Sequence, residues 1–293
     1  MDANSREAVR VSIVVPVFNQ WHLVPELLRC LEMQTFDHDA FEVLLVDNGS
    51  EYIPPPTGEP RFVRRLVCST PGSYAARNLG IAQARGAVVA FTDADCRPHP
   101  QWLQAALGRM QGSRMLLAGA IRIVPRDPGN PNRYEVYDMM LGMPQARYVR
   151  RGYAITANLF VPRAVLNELG GFDARRFSGG DAAFCRRARD AHIALEYVES
   201  AVVEHPARDS WAALATKVRR IKGGQLAAGS LRQKALYAVR AFLPPVRAWW
   251  RVLRASSFSW RHRIGSLFVQ ARLWLVEMAE VLRLLLGRQP ERK

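Results

Sequence analysis

Cysteine is scarce in this sequence and never paired. The 293 residues contain four, Cys30, Cys68, Cys96 and Cys185, and none stands in a Cys-x-x-Cys spacing. That excludes the common zinc and dithiol redox motifs. A long chain with so little cysteine is not a disulfide scaffold, which fits a reducing compartment. The four are read as ordinary free thiols. Met1–Arg10 lacks an apolar core, so no secretory peptide is expected there. No internal repeat or low-complexity tract occurs. Acidic residues are scarce in one region only. Residues 208–293 hold 18 Lys+Arg against 4 Asp+Glu, whereas residues 1–207 hold 23 against 22.

Hydrophobic residues make up 49% of the chain, enough for a sizeable core. Over the first 125 residues strand and helix patterns alternate. Val11–Val17 and Phe41–Asp47 are nearly continuous apolar runs, as expected of strands covered on both faces. Arg61–Val67, Ala87–Thr92 and Met115–Val124 read as further strands. Helices are expected after Leu23, over Ser73–Arg85 and over Pro100–Met110. This order implies a parallel, doubly wound, Rossmann-like sheet. Ligands of such sheets bind beyond the carboxyl ends of the strands, where Asp47 and Asp93 fall. Residues 125–150 are rich in Pro, Gly and Arg and read as a loop. Helical patterns resume at Pro162–Leu169 and Asp181–Ala191, with a strand at Ala194–Val203. From Ser210 onward the patterns are helical only.

Four segments carry chemistry. In Phe91-Thr92-Asp93-Ala94-Asp95-Cys96 two carboxylates stand two residues apart at a strand end, offering oxygen ligands to a hard cation. Such a cation can bridge a diphosphate and stabilise it as a leaving group. The same residues also fit an Asp-rich turn that caps the next helix. Asp47-Asn48-Gly49-Ser50 offers a carboxylate to a base imide or a ribose hydroxyl, or forms a plain turn. Pro71–Gly80 opens a helix with a small-residue turn and Arg77, suited to an anionic ligand or to simple capping. Gly179–Arg187 sets Asp181 at a helix start. There the helix N-terminus would keep it ionised as a general base, or use it as an N-cap.

Taken in order, VSIVVPVFN, LLVDNGS, GSYAARNLGIAQARG, VAFTDADCRPHPQWL, ANLFVPRAVLNELGGFD and GGDAAFCRRAR resemble the family 2 glycosyltransferases of GT-A fold. The resemblance spans about residues 11–207. It implies a GT-A α/β catalytic domain over 1–207, with a mostly parallel sheet and helices on both faces. It implies nucleotide-sugar contacts at Pro16, Asp47, Arg77 and Asp93, with Asp47 at the base. Asp93, Asp95 and His205 are implied as ligands of Mn²⁺ or Mg²⁺, and Asp181 as the catalytic base. The implied activity is inverting, hexosyltransferase-type transfer from a nucleotide-diphosphate sugar, UDP being the commonest nucleotide. The acceptor is a glycan or lipid-linked hydroxyl, in polysaccharide or glycolipid synthesis.

Three departures stand out. The family often has a second acidic residue where this chain has Asn48. Its Glu-Asp base motif is here Gly180-Asp181. The Gln-x-x-Arg-Trp motif of processive synthases is absent, which favours single additions. A nucleotidyltransferase on a related fold would carry a Gly-rich basic loop after the first strand, and Pro16-Val17-Phe18-Asn19-Gln20 has neither glycine nor a basic residue. A basic nucleic-acid binder is the other alternative, but no nucleic-acid recognition module is found, so no nucleic-acid partner is expected.

Residues 208–293 are expected to form an all-helical basic appendage. Val246, Trp249, Trp250 and Leu253 share one helical face, with Arg247, Arg251 and Arg254 beside it. Between 264 and 286 an apolar arc runs from Ile264 to Leu286, opposite Arg272, Glu277, Glu280 and Arg283. Those charges argue against a spanning helix. Either both helices lie on an anionic membrane, placing a cytoplasmic protein peripherally at its inner face, or they pack on the catalytic domain or in a dimer.

Overall fold

A computed structural model describes residues 9–176, 178–227 and 231–289. Met1–Ala8, and with them most of the segment read for a signal peptide, lie outside the described residues, as do 228–230 and 290–293 of the helical tail.

Strands β1 (Val11–Val17) and β2 (Phe41–Asp47) are buried along their length except at half-buried Pro16. Side chains alternate between the faces of a strand, and both faces here are apolar. Val11, Ile13, Val15 and Val17 join one core layer with α1 (Val24–Glu32), and Val14 joins the other with α2 (Ser73–Gln83). β3 (Val63–Val67) pairs with β2, and β4 (Val88–Phe91) with β1, all in parallel. Val17 lies opposite Asp47, so the carboxyl ends of β1 and β2 stand level.

Beyond β4 the sheet changes character. β7 (Leu159–Pro162) runs antiparallel to β4 and to β6 (Met115–Val124). β5 (Arg97–Pro98) runs antiparallel to β8 (Ala194–Pro206). The order is β3-β2-β1-β4-β7-β6-β8-β5. The expected pattern of parallel strands is thus one half of a mixed sheet. α3 (Trp102–Arg109) covers the α1 face, and α6 (Arg163–Leu169) and α7 (Gly180–Asp190) cover the α2 face. Asn158 is buried at the centre of the second half. Its amide accepts from Trp102 Nε1 at 2.8 Å and donates to the carbonyls of Ala120 and Ala201 at 2.8 and 2.9 Å. A buried amide is tolerated when every polar atom is paired in this way.

The loop expected over 125–150 is instead two helices, α4 (Arg133–Leu141) and α5 (Gln145–Val149). A capping box starts α4. Asn132 Oδ1 accepts the N–H groups of Tyr134 and Glu135, and the Glu135 carboxylate accepts the Asn132 N–H.

Two compact units emerge: residues 1–122, 145–175 and 180–205, and residues 123–144, 176–179 and 206–293. The second contains α4, α8 (Trp211–Ala227), α9 (Leu231–Phe242), α10 (Val246–Leu253) and α11 (Trp260–Leu285). Asp138 of α4 is buried there between Arg208 and Lys217, at 3.0 and 3.2 Å. Burial, then Arg208, lowers the Lys217 amine to about 8, despite the carboxylate beside it.

The buried face of α11 mixes polar and apolar side chains. Ser266, Gln270 and Glu280 are buried with Val269, Leu273 and Val281, and Tyr137 Oη donates to Gln270 Oε1 at 2.8 Å. The apolar arc lies on the other side. Phe268 is 70% exposed, and Ile264, Leu275, Leu282, Leu285 and Leu286 are exposed with it.

Candidate active site

The site gathers at the carboxyl ends of β1, β2 and β4. Pro16 lies on β1 opposite Val46 of β2. Asp47 ends β2 and is almost fully buried. Its Oδ1 accepts the N–H groups of Gly49 and Ser50 at 2.9 and 3.1 Å, and its Oδ2 accepts Trp21 Nε1 at 2.8 Å. Burial pushes the carboxyl up, but these bonds and the Ser50 hydroxyl outweigh it and hold Asp47 below the ordinary carboxylate range. Gly49 turns the chain at φ +87°, a region that favours glycine. Asn48 holds the loop that precedes α2. Its Nδ2 donates to the carbonyls of Cys68 and Thr70, and its Oδ1 accepts the Gly72 N–H at 2.6 Å. An amide donates and accepts where a carboxylate only accepts, which gives a physical reason for Asn rather than a second acid.

Asp93 follows β4. Arg77, 4% exposed on α2, donates from Nη2 to Asp93 Oδ1 at 2.5 Å. Arg77 Nε has no partner among the described residues. A buried guanidinium with a spare donor beside a half-exposed carboxylate suits an anionic ligand at the α2 N-terminus.

β5 brings the chain back against β8. Arg97 lies opposite Glu204 and Pro98 opposite Val203, so His205 falls next to the Asp-x-Asp loop. His205 Nε2 stands 3.5 Å from Asp95 Oδ2. One ligand atom each of Asp93, Asp95 and Cys96 lie within 4.8 Å of one another. Burial, then the charges of Asp95 and Asp93, raises the Cys96 thiol well above its ordinary value, which leaves it a neutral and poor ligand. That leaves the two carboxylates, Asp93 and Asp95, as the hard oxygen donors of the group, with His205 in contact with Asp95.

Asp181 opens α7. Its Oδ1 accepts the Ala182 N–H at 2.9 Å and lies 3.3 Å from Tyr74 Oη. It is half-buried and keeps partial contact with solvent. Burial raises its carboxyl above the ordinary value; the Ala182 N–H, the Arg77 charge, the Tyr74 hydroxyl and the Thr156 N–H offset this only in part. The helix start thus does less to hold Asp181 ionised than its position alone implies. A more basic carboxylate is the better proton acceptor.

Trp21 and Tyr74, which hold Asp47 and Asp181, were not legible as site residues. Neither lies in a spacing that signals a bond to an acid 26 or 107 residues away.

The architecture has a solved counterpart. A mannosyltransferase from Pyrobaculum calidifontis, PcManGT, solved in complex with GDP-Man and Mn²⁺, superposes with a TM-score of 0.58 at 19% identity, covering 95% of this chain and 86% of that one. The fold is that of the GT-A glycosyltransferases. The profile of Glycosyl transferase family 2 matches residues 12–179, and the chain belongs to that family. Among curated relatives, glycosyltransferase AglE of Haloferax volcanii is 33% identical over 243 residues, 79% of this chain and 78% of its own length. The pre-mycofactocin glycosyltransferase of Mycobacterium tuberculosis is 31% identical over 212 residues, 68% of this chain and 43% of its own length.

Proposed function

We propose that this glycosyltransferase moves one hexosyl group at a time from a nucleotide-diphosphate sugar to a hydroxyl of a glycan or lipid-linked acceptor, with inversion. Residues 1–207 act as the catalytic domain and 208–293 as a basic helical appendage. The observation that carries the reading is that α2 links the half-buried Asp181 carboxylate, through Tyr74, with the Arg77–Asp93 pair, beside the Asp95–His205 contact. Asp93, Asp95 and His205 would hold a divalent cation, Mn²⁺ or Mg²⁺, which would supply Lewis acidity toward a departing diphosphate. Arg77 adds fixed positive charge there and orients Asp93. Pro16 and Asp47 line the nucleotide end, where Asp47 shapes the 48–50 turn. Asp181 takes the proton of the acceptor hydroxyl as its oxygen bonds to the anomeric carbon and the carbon–diphosphate bond breaks.

The test is release of nucleoside diphosphate from UDP-glucose, UDP-N-acetylglucosamine and GDP-mannose with Mn²⁺. GDP-mannose is included because the P. calidifontis enzyme was solved with it. Release from at least one donor, abolished by EDTA, is expected. Silence with all three counts against the donor class, and release undiminished by EDTA counts against the metal.

The appendage is read as a membrane-surface module. Among the described residues no helix is long and apolar enough to cross a membrane. The exposed arc of α11, with exposed Val246 and Trp250 of α10, instead suits the acyl–headgroup boundary. The surrounding arginines suit anionic headgroups, and Arg254 and Arg263 lie over the rings of Trp250 and Trp260 at 4.4 and 4.6 Å. The full chain is expected to sediment with phosphatidylserine-containing vesicles at low salt, to be released by salt, and to stay in solution after deletion of residues 243–293. Equal recovery in the supernatant with and without vesicles sinks the idea.

A further inference from the structure

The first turns of α2 reach both halves of the site. Tyr74 touches Asp181, and Arg77, three residues on, touches Asp93. Residues at i and i+3 of a helix share a face, and the Arg77 guanidinium lies 5.7 Å from the centre of the Tyr74 ring. The Tyr74 hydroxyl is fully used. Oη accepts the Gly180 N–H at 2.9 Å and the Asp181 N–H at 3.4 Å, and it donates to Asp181 Oδ1 at 3.3 Å. A phenol has one proton to give and two lone pairs, so the direction of each bond is set.

Gly180 is what permits this junction. A Cβ at position 180 would fall 2.7 Å from ring carbons Cε2 and Cζ of Tyr74. The ring is buried against Phe172, its centroid 5.6 Å away, and has little room to withdraw. Glycine therefore stands where the family often has an acid because an aromatic ring occupies the space a side chain would need.

We propose that Tyr74 is the positioning residue for Asp181. Its hydroxyl ties the carboxylate to α2, so that one helical turn sets the spacing between the proton acceptor and the Arg77–Asp93 pair. This rests on the reading of Asp181 as the base. The groups that face Asp181 are Tyr74 and Arg77 from α2, Tyr153 and the Thr156 N–H from the segment before β7, and Cys185 and the Ala182 N–H from its own helix. The Tyr74 hydroxyl is one of those that favour the ionised form, so its loss moves Asp181 further toward the protonated one.

Tyr74→Phe keeps the ring and removes the bond. With whichever of the three donors turns over fastest, kcat is expected to fall about 10-fold, a usual effect of losing a hydrogen bond to a charged group. Donor KM is expected to stay unchanged, and the acidic limb of the pH profile to move to higher pH. A merely structural tyrosine would lower the Tm and leave that limb in place. A second measurement needs no donor: the Tm gained by Asp181→Asn is expected to be larger in the Tyr74→Phe background. Gly180→Ala is expected to lower turnover strongly beside Tyr74 and less beside Tyr74→Ala, where the ring that meets the Cβ is gone. Wild-type turnover and an unmoved acidic limb in Tyr74→Phe, with Asp181→Asn inactive, overturn the proposal and leave the base in place. An active Asp181→Asn overturns the base itself.

Discussion

Asp181→Asn is expected to cost roughly 10²–10⁴ in turnover, the usual range for losing a general base, while making the protein more stable. Asn keeps the size of the side chain and its bond to the Ala182 N–H but cannot take a proton. The stability gain follows from the raised carboxyl pKa. Burial makes the folded chain hold the Asp181 proton more tightly than the unfolded chain does. Above the folded pKa the ionised carboxylate therefore costs stability, and the cost disappears as pH falls through the folded pKa toward the unfolded value. Asn carries no charge at any pH, so its advantage in Tm is largest near neutrality and shrinks in acid. Activity is expected to move the opposite way in the parent enzyme, kcat/KM falling as acid protonates the proposed base, Asp181. Thermal melts from pH 7 down to 4 and the anomeric configuration of the product are the measurements. Near-normal turnover in the variant, or a product that keeps the donor's configuration, falsifies the assignment.

Asp95→Ala is expected to lower transfer by at least about 10²–10³-fold, the range for removing one preorganised stabiliser of developing charge, with the fold intact. The Asp95 side chain is 20% exposed, and its identified contacts, His205 at 3.5 Å and the Cys96 thiol at 3.9 Å, are not a buried ion pair with Lys or Arg. Asp93 is a poorer target for the same question, because its removal strands the buried Arg77 charge, which destabilises by itself. The variant should show weakened Mn²⁺ binding by calorimetry and an unchanged melt without metal. Full activity of the variant, or of the parent in EDTA, would refute the metal role.

Much of this was legible in the sequence. The apolar runs of β1, β2 and β4 and the acidic residues that follow them are local signals, and the sheet places them together as expected. His205 meets Asp95 because β5 folds back on β8, a two-residue pairing too short to show in any periodicity. β7 escaped notice because LFVP is four residues leading directly into a helix. α4 was hidden by the prolines and glycines before it, although Asn132-Arg133-Tyr134-Glu135 carries the capping-box spacing. Asp47 was legible as a site-end carboxylate but not as one already engaged by Trp21. An apolar stripe on α11 was plain from spacing, yet periodicity cannot tell which face a helix buries. There the buried face holds Ser266, Gln270 and Glu280 beside Val269, Leu273 and Val281, and Ile264, Phe268, Leu275, Leu282, Leu285 and Leu286 of the stripe are left exposed.

The exposed apolar residues of α11 bear on how the protein behaves as a colloid. A net charge of +15 keeps copies apart in dilute buffer, where repulsion reaches across the gap between molecules. At about 1 M salt the screening length shrinks to about 3 Å, and the exposed Ile264–Leu286 arc then meets its like on another copy without opposition. Salt that on the proposed reading releases the protein from lipid is therefore also expected to make it self-associate. A mild detergent that covers the arc separates the two effects.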